Sequence, residues 1–194
     1  MKQGILFFTL MTSLLAAGAA NPPAATVAAA KPAVVYSIAD RSYLSLCMTL
    51  SISAREIAED KLQGQPADRV KAGFAGDSRA PVLVPLVDQV YSDNFTDTWD
   101  YTGSFYKDCG DRVGHLSPAQ IQPSMTCMYK GVVAAAALAT RETGTEKSEA
   151  YGMFSSHGDL ARPVIDGVYA PKATPGRGVV MDVWNSCMDL LTRS

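Results

Sequence analysis

Histidine is scarce in this chain: His115 and His157 are the only two in 194 residues. That leaves little room for a histidine-based metal centre or a conventional catalytic triad. Cysteine is limited to Cys47, Cys109, Cys127 and Cys187, and no two of them lie within a few residues of each other, the close pair that zinc sites usually show. Charge of one sign is missing as well. With 17 basic and 19 acidic residues the net charge is −2, so nothing in the composition would neutralise a nucleic-acid backbone or an anionic membrane. Hairpin signals are sparse, with no Asn-Gly or Asp-Gly flanked by alternating apolar residues, which turns the fold class towards all-α. The β-branched runs Val82–Val90 and Val179–Val183 leave room for a short strand.

What is present is the composition of a globule with a real core, 47% hydrophobic and 19% charged. Residues 1–20 read as an export signal: Lys2, an apolar stretch from Ile5 to Leu15 broken only by Thr9, Thr12 and Ser13, then small residues from Ala16 to Ala20, with cleavage expected after Ala19 or Ala20. The apolar stretch is short for a membrane span of roughly twenty residues. Residues 21–33 are almost wholly Ala and Pro and read as a disordered tether. Export to an oxidising compartment makes disulfides the expected state of all four cysteines.

Laid against itself with a shift of eighty residues, the chain repeats several residue types at once. Cys47 falls on Cys127, Met48 on Met128, Ala54 on Ala134, Gly64 on Gly144 and Phe74 on Phe154. After a two-residue deletion, the run Val87-Asp88-Gln89-Val90-Tyr91 falls on Ile165-Asp166-Gly167-Val168-Tyr169. Eighteen residues past each tyrosine stands the next cysteine, Cys109 or Cys187, preceded three residues earlier by Tyr106 or Trp184. A tandem duplication is the reading, with a first helical repeat at 34–112 and a second at 113–194. Four cysteines allow three connectivities, and duplication favours bonds within a unit, Cys47 with Cys109 and Cys127 with Cys187.

Each repeat has the same plan. A first helix carries a small, apolar stripe at Cys47, Leu50, Ser51, Ala54, Ala58 and Leu62, or at Cys127, Gly131, Ala134 and Leu138, and the second of these helices should be the more buried. Gly64 and Gly144 stand where the stripes end, as left-handed caps. A short second helix is expected to reach Phe74 or Phe154, a third to span 82–91 or 160–169, and a fourth element to lead into the closing cysteine. The predicted fold class is therefore all-α: two tandem small helical units, each of three to four helices closed by a disulfide.

Candidate chemistry is thin. Ser155, Ser156, His157 and Asp159 cluster in a stretch that has no counterpart in the first repeat, and read first as a polar turn. His115 reads as surface linker, with Ser117 and Pro118 after it as an N-cap and first turn. Asp93, Asp97 and Asp100 lack the spacing of a helix-loop-helix calcium loop and read as a solvated turn and helix start. Asp88 and Asp166 are expected on an exposed helix face or holding a nearby Lys or Arg, and Tyr91 and Tyr169 as core residues whose hydroxyls reach the edge. From Ser42 to Gly110 there are six basic and ten acidic residues, against seven and seven from Ser117 to Ser194, so a partner of the first repeat would be basic.

Cys47, Ala54, Ala58, Gly64, Val90-Tyr91 and Cys109, then Cys127, Ala134, Gly144, Val168-Tyr169 and Cys187, resemble the pattern of a loose group of small, uncharacterised secreted bacterial helical proteins. Lys61 and Arg141 match the basic residue common before the glycine. The resemblance implies fold and compartment and carries no activity. On all this the chain is expected to be a periplasmic or secreted non-enzymatic binding protein: an inhibitor, an immunity-type protector or an envelope-stress factor. Its partner would be another envelope or secreted protein. No catalytic residue, metal ligand or cofactor is assigned, no nucleic acid is expected, and no membrane span should remain after signal cleavage. The alternatives are a small hydrolase using His157 with Ser155 or Ser156, and a structural envelope component.

Overall fold

Ser37 and Asp40 decide where the folded chain begins. The Ser37 hydroxyl accepts the Asp40 amide while the Asp40 carboxylate accepts the Ser37 amide at 2.9 Å, a reciprocal cap that satisfies two otherwise orphaned donors. The computed structural model describes residues 36–192, and the expected signal peptide 1–20 and tether 21–33 lie outside the described residues. From the cap run α1 (Ile38–Leu62), α2 (Ala67–Gly73), α3 (Ala80–Ser92) and α4 (Thr98–Gly114). A connecting α5 (Pro118–Ile121) and a 3₁₀ turn lead to α6 (Met125–Glu142), α7 (Lys147–Met153), α8 (Gly158–Val168) and α9 (Gly178–Met188). The fold is all-α. Among the described residues extended pairing is confined to one isolated bridge, Tyr36 with Thr192, and both β-branched runs are helical.

The disulfides are Cys47–Cys109 and Cys127–Cys187, with Cα atoms 5.6 and 5.5 Å apart. Cys47 does not mark the start of its helix, as the stripe alone suggested. The Ser37 cap moves that start nine residues upstream, so this bond clasps the middle of α1 to α4. Cys127 does lie in the first turn of α6. Leu62, expected on the buried stripe, is 49% exposed at the last position of α1. Helix α3 begins two residues earlier than expected, because Pro81 fits a first turn; α8 also begins two residues earlier, at Gly158, and Pro85 and Pro163 are accommodated inside their helices. As expected, α6 is the more buried first helix: nine of its 18 residues are buried, against eight of 25 in α1.

Equivalent contacts recur in the two halves. Gly64 and Gly144 take φ of +79° and +83°, the left-handed geometry that closes a helix without a Cβ clash. Lys61 donates to the carbonyls of Val90, Tyr91 and Asp93, and Arg141 donates to the carbonyl of Val168, so each basic side chain covers the bare end of the third helix. The hydroxyls of Tyr91 and Tyr169 reach the backbone oxygens of Gln65 and Thr145, at 2.6 and 3.1 Å. Asp88 pairs with Lys71, and Asp166 accepts the hydroxyl of Tyr151, which stands at the position equivalent to Lys71, and pairs besides with Lys147.

The halves share one interior. Trp184 and Met188 of α9, with Cys127, Met128 and Val132 of α6, pack into the same cluster as Leu44, Met48, Val87 and Tyr106 of the first half. Tyr36 seals the edge: its amide donates to Leu191, its hydroxyl donates to the Gln120 carbonyl, and it accepts the Ser124 amide. The described residues, 36–192, form one compact unit.

Small residues let the helices approach. A Cβ at Gly131 would sit 3.0 Å from the Met48 sulfur, and one at Gly103 would sit 2.3 Å from the Tyr129 hydroxyl oxygen. Alanine raises helix propensity by about 1 kcal/mol, yet Gly103→Ala is expected to destabilise by about 1–3 kcal/mol through that overlap. Made in a Tyr129→Phe background the same change should cost less, a difference that paired urea titrations read directly. Equal costs in both backgrounds would refute the clash.

Candidate functional site

Trp99 opens α4, placed by Asp97, whose carboxylate caps the helix by accepting the Trp99 and Asp100 amides at 2.8 Å each. The indole then collects groups from three other helices or turns. Arg55 of α1 lies over its face with the guanidinium carbon 4.5 Å from the ring centroid, a cation–π arrangement. The His157 ring, from the turn before α8, stands 3.9 Å away, centroid to centroid, and Tyr129 of α6 stands at 6.4 Å. Arg55 also pairs with Glu59 one turn on, while its Nε is buried with no partner. Arg55, Glu59, Trp99 and His157, together with Met153, Phe154 and Ser156, line a cleft of about 310 Å³.

This cleft holds the strongest catalytic candidate of the sequence, and its geometry is that of a packed turn. Ser155, Ser156 and Asp159 are exposed, and among the described residues His157 hydrogen-bonds to none of them. The carboxylate whose charge reaches the imidazole is Asp97, already engaged as a helix cap. A base needs its nucleophile and its orienting group within hydrogen-bond reach, and here the ring's partner is an indole. The other candidates are likewise engaged. Asp93 accepts the Tyr101 hydroxyl at 2.8 Å, Asp97 and Asp100 begin α4, and His115 is an exposed left-handed cap with φ of 51°. Ser117 does form the expected cap, reciprocated by Gln120.

Burial against Trp99, and next the charge of Arg55, hold the His157 pKa below the ordinary value of 6.5, with Asp97 opposing. The neutral ring is thus the native form. Its contribution to stability is complete above the unfolded-state value and is lost as pH falls through about 6.5 towards the folded value, below which it levels off. Wild type should therefore lose more stability than His157→Phe between pH 7.5 and pH 5. Parallel urea midpoints for the two across that range would exclude this.

A second cavity lies where the halves meet. It measures about 410 Å³ and is walled by Met48, Thr49 and Ile52 of α1, by Ala135, Leu138, Ala139 and Glu142 of α6, and by Gly176, Arg177, Val180 and Met181 at the start of α9. The size suits a small ligand, and the walls are apolar except at Thr49, Glu142 and Arg177. Sequence reading found none of it, because the pocket is assembled from three helices distant in the chain whose lining residues look like ordinary core. Among the described residues no group of three or more His, Cys, Asp or Glu stands close enough together to hold a metal ion, and no helix is long and apolar enough to cross a membrane. Compared with protein-family models, with curated proteins and with solved structures, the chain has no match.

Proposed function

We propose that this is an exported bacterial protein of the periplasm or the extracellular space that acts by binding, as an inhibitor, an immunity-type protector or an envelope-stress factor, through the seam between two duplicated halves. The observation that carries the reading is the largely apolar cavity drawn from α1 on one side and from α6 and α9 on the other, with Glu142 and Arg177 exposed on its lining. Two disulfides suit an oxidising compartment, and the twin contacts of Lys61 and Arg141, of Tyr91 and Tyr169, and of Asp88 and Asp166 are what a duplication would leave. The hydrolase alternative draws no support from the His157 cleft, where the imidazole meets Trp99 and no serine.

The test is affinity capture from envelope extract with three baits: the mature protein, Ala139→Arg, and His157→Ala. Ala139 lines the seam cavity and is exposed, so arginine there obstructs the opening without entering the core. A species held by wild type and by His157→Ala, and released by Ala139→Arg, is the expected result. Identical captures by wild type and Ala139→Arg would remove the seam from the reading, and a hydrolytic activity abolished by His157→Ala would replace it.

A further inference from the structure

We propose that the seam cavity is a seat for a free apolar α-amino acid held as its zwitterion, an inference that rests on the binding reading above. The cavity carries one acidic and one basic side chain on an otherwise largely apolar lining. The Cys127–Cys187 bond ties the start of α6 to the end of α9, and the two helices pack along each other. Glu142, the last residue of α6, and Arg177, immediately before α9, both line the cavity and both are exposed. The remaining depth is hydrocarbon from Ile52, Leu138 and Val180, and Thr49 turns its hydroxyl away to donate to the Ser45 carbonyl at 3.0 Å.

Glu142 and Arg177 are not paired with each other within 4.0 Å, and among the described residues neither forms an ion pair or a side-chain hydrogen bond. An anionic amphiphile would gain Arg177 and be repelled by Glu142, and a cationic one would meet the reverse. The charge of Arg177 also reaches the carboxylates of Glu56 and Asp77, but Asp77 is held by Arg79 and neither pairs with Arg177. A plain hydrocarbon would make no use of Glu142 or Arg177. An apolar α-amino acid carries a carboxylate for Arg177 and an ammonium for Glu142 on one carbon, with its side chain directed into the apolar depth. The first turn of α9 has neither an acidic side chain nor a side-chain cap, so its dipole reinforces the pull of Arg177 on the carboxylate.

The experiment titrates the mature protein with leucine, phenylalanine, alanine, N-acetyl-leucine and leucinamide, read by calorimetry and by the methyl resonances of Ile52 and Leu138. Leucine or phenylalanine should bind with Kd below about 1 mM, and alanine, N-acetyl-leucine and leucinamide about tenfold more weakly. Glu142→Gln should erase the discrimination against N-acetyl-leucine, and Arg177→Gln the discrimination against leucinamide, with Arg177→Lys restoring part of it. The proposal is overturned if the blocked compounds bind as tightly as leucine, or if no amino acid moves those resonances. Should that happen while capture from envelope extract still depends on Ala139, only the ligand assignment is lost; if capture fails too, the binding reading falls with it.

Discussion

Replacing Cys47 and Cys109 together by alanine is expected to destabilise the protein by about 4 kcal/mol or more, lowering Tm by about 10 °C. The bond closes a loop of 62 residues, and in the chain-entropy account most of its worth comes from unfolded conformations that the cross-link forbids. The Cys127–Cys187 loop spans 60 residues, so its entropic contribution is the same within a few tenths of a kcal/mol. The two bonds differ in surroundings. Cys47 and Cys109 are both buried, whereas Cys187 is half-buried and borders a surface groove. Removing sulfur from the drier site leaves the larger void, so the Cys47/Cys109 variant should melt below the Cys127/Cys187 variant. Calorimetry of both variants, beside wild type with and without reductant, checks this. Wild type whose Tm ignores full reduction would contradict the account, and equal melting of the two variants would contradict its packing part.

The disulfide pairing and the helical class were legible because each is written redundantly. The cysteines recur at matched spacing in two halves, and Cys127, Gly131, Ala134 and Leu138 trace one buried face at helical period. Gly64 and Gly144 could be read as caps since only a residue without Cβ takes positive φ there at no cost. Leu62 was misplaced for a physical reason: periodicity continues to the last turn of α1, but the packing partner ends before it. The Ser37–Asp40 cap obeys a known local pattern and was available in the sequence, four residues that fix the start of α1. Lys61 and Arg141 show the limit of a motif. Their position before the glycine was visible, but their work, covering carbonyls at the end of a helix some thirty residues later, depends on a turn geometry no local pattern encodes. The seam cavity was beyond reach for the same reason, since Ile52, Leu138 and Val180 each look like core until three helices leave a gap between them.

Trp184→Ala is the second change with a large expected effect, about 3–5 kcal/mol, and what it does to the shape of the transition matters more than its size. Trp184 belongs by sequence to the second half, yet it is fully buried among side chains of the first, with its ring 6.5 Å from that of Tyr106 in an edge contact. Tyr106 in turn shares a hydrogen bond with Ser124, which donates its amide to Tyr36, so one buried chain of contacts runs from the start of α1 through the connector to α9. If the two halves folded independently, losing Trp184 would melt the second and spare the first. A shared interior requires instead that both halves lose stability together in a single transition. Trp184→Phe separates packing from polarity: the indole Nε1 is buried without a partner, so phenylalanine removes an unsatisfied donor worth about 1–3 kcal/mol while giving up part of the ring, and the net change should be small. Denaturation of Trp184→Ala followed at once by far-UV circular dichroism and by the fluorescence of Trp99, whose environment is set by both halves, should give coincident curves. Two separated transitions would mean that the halves stand as independent domains, and that the cavity between them is a hinge.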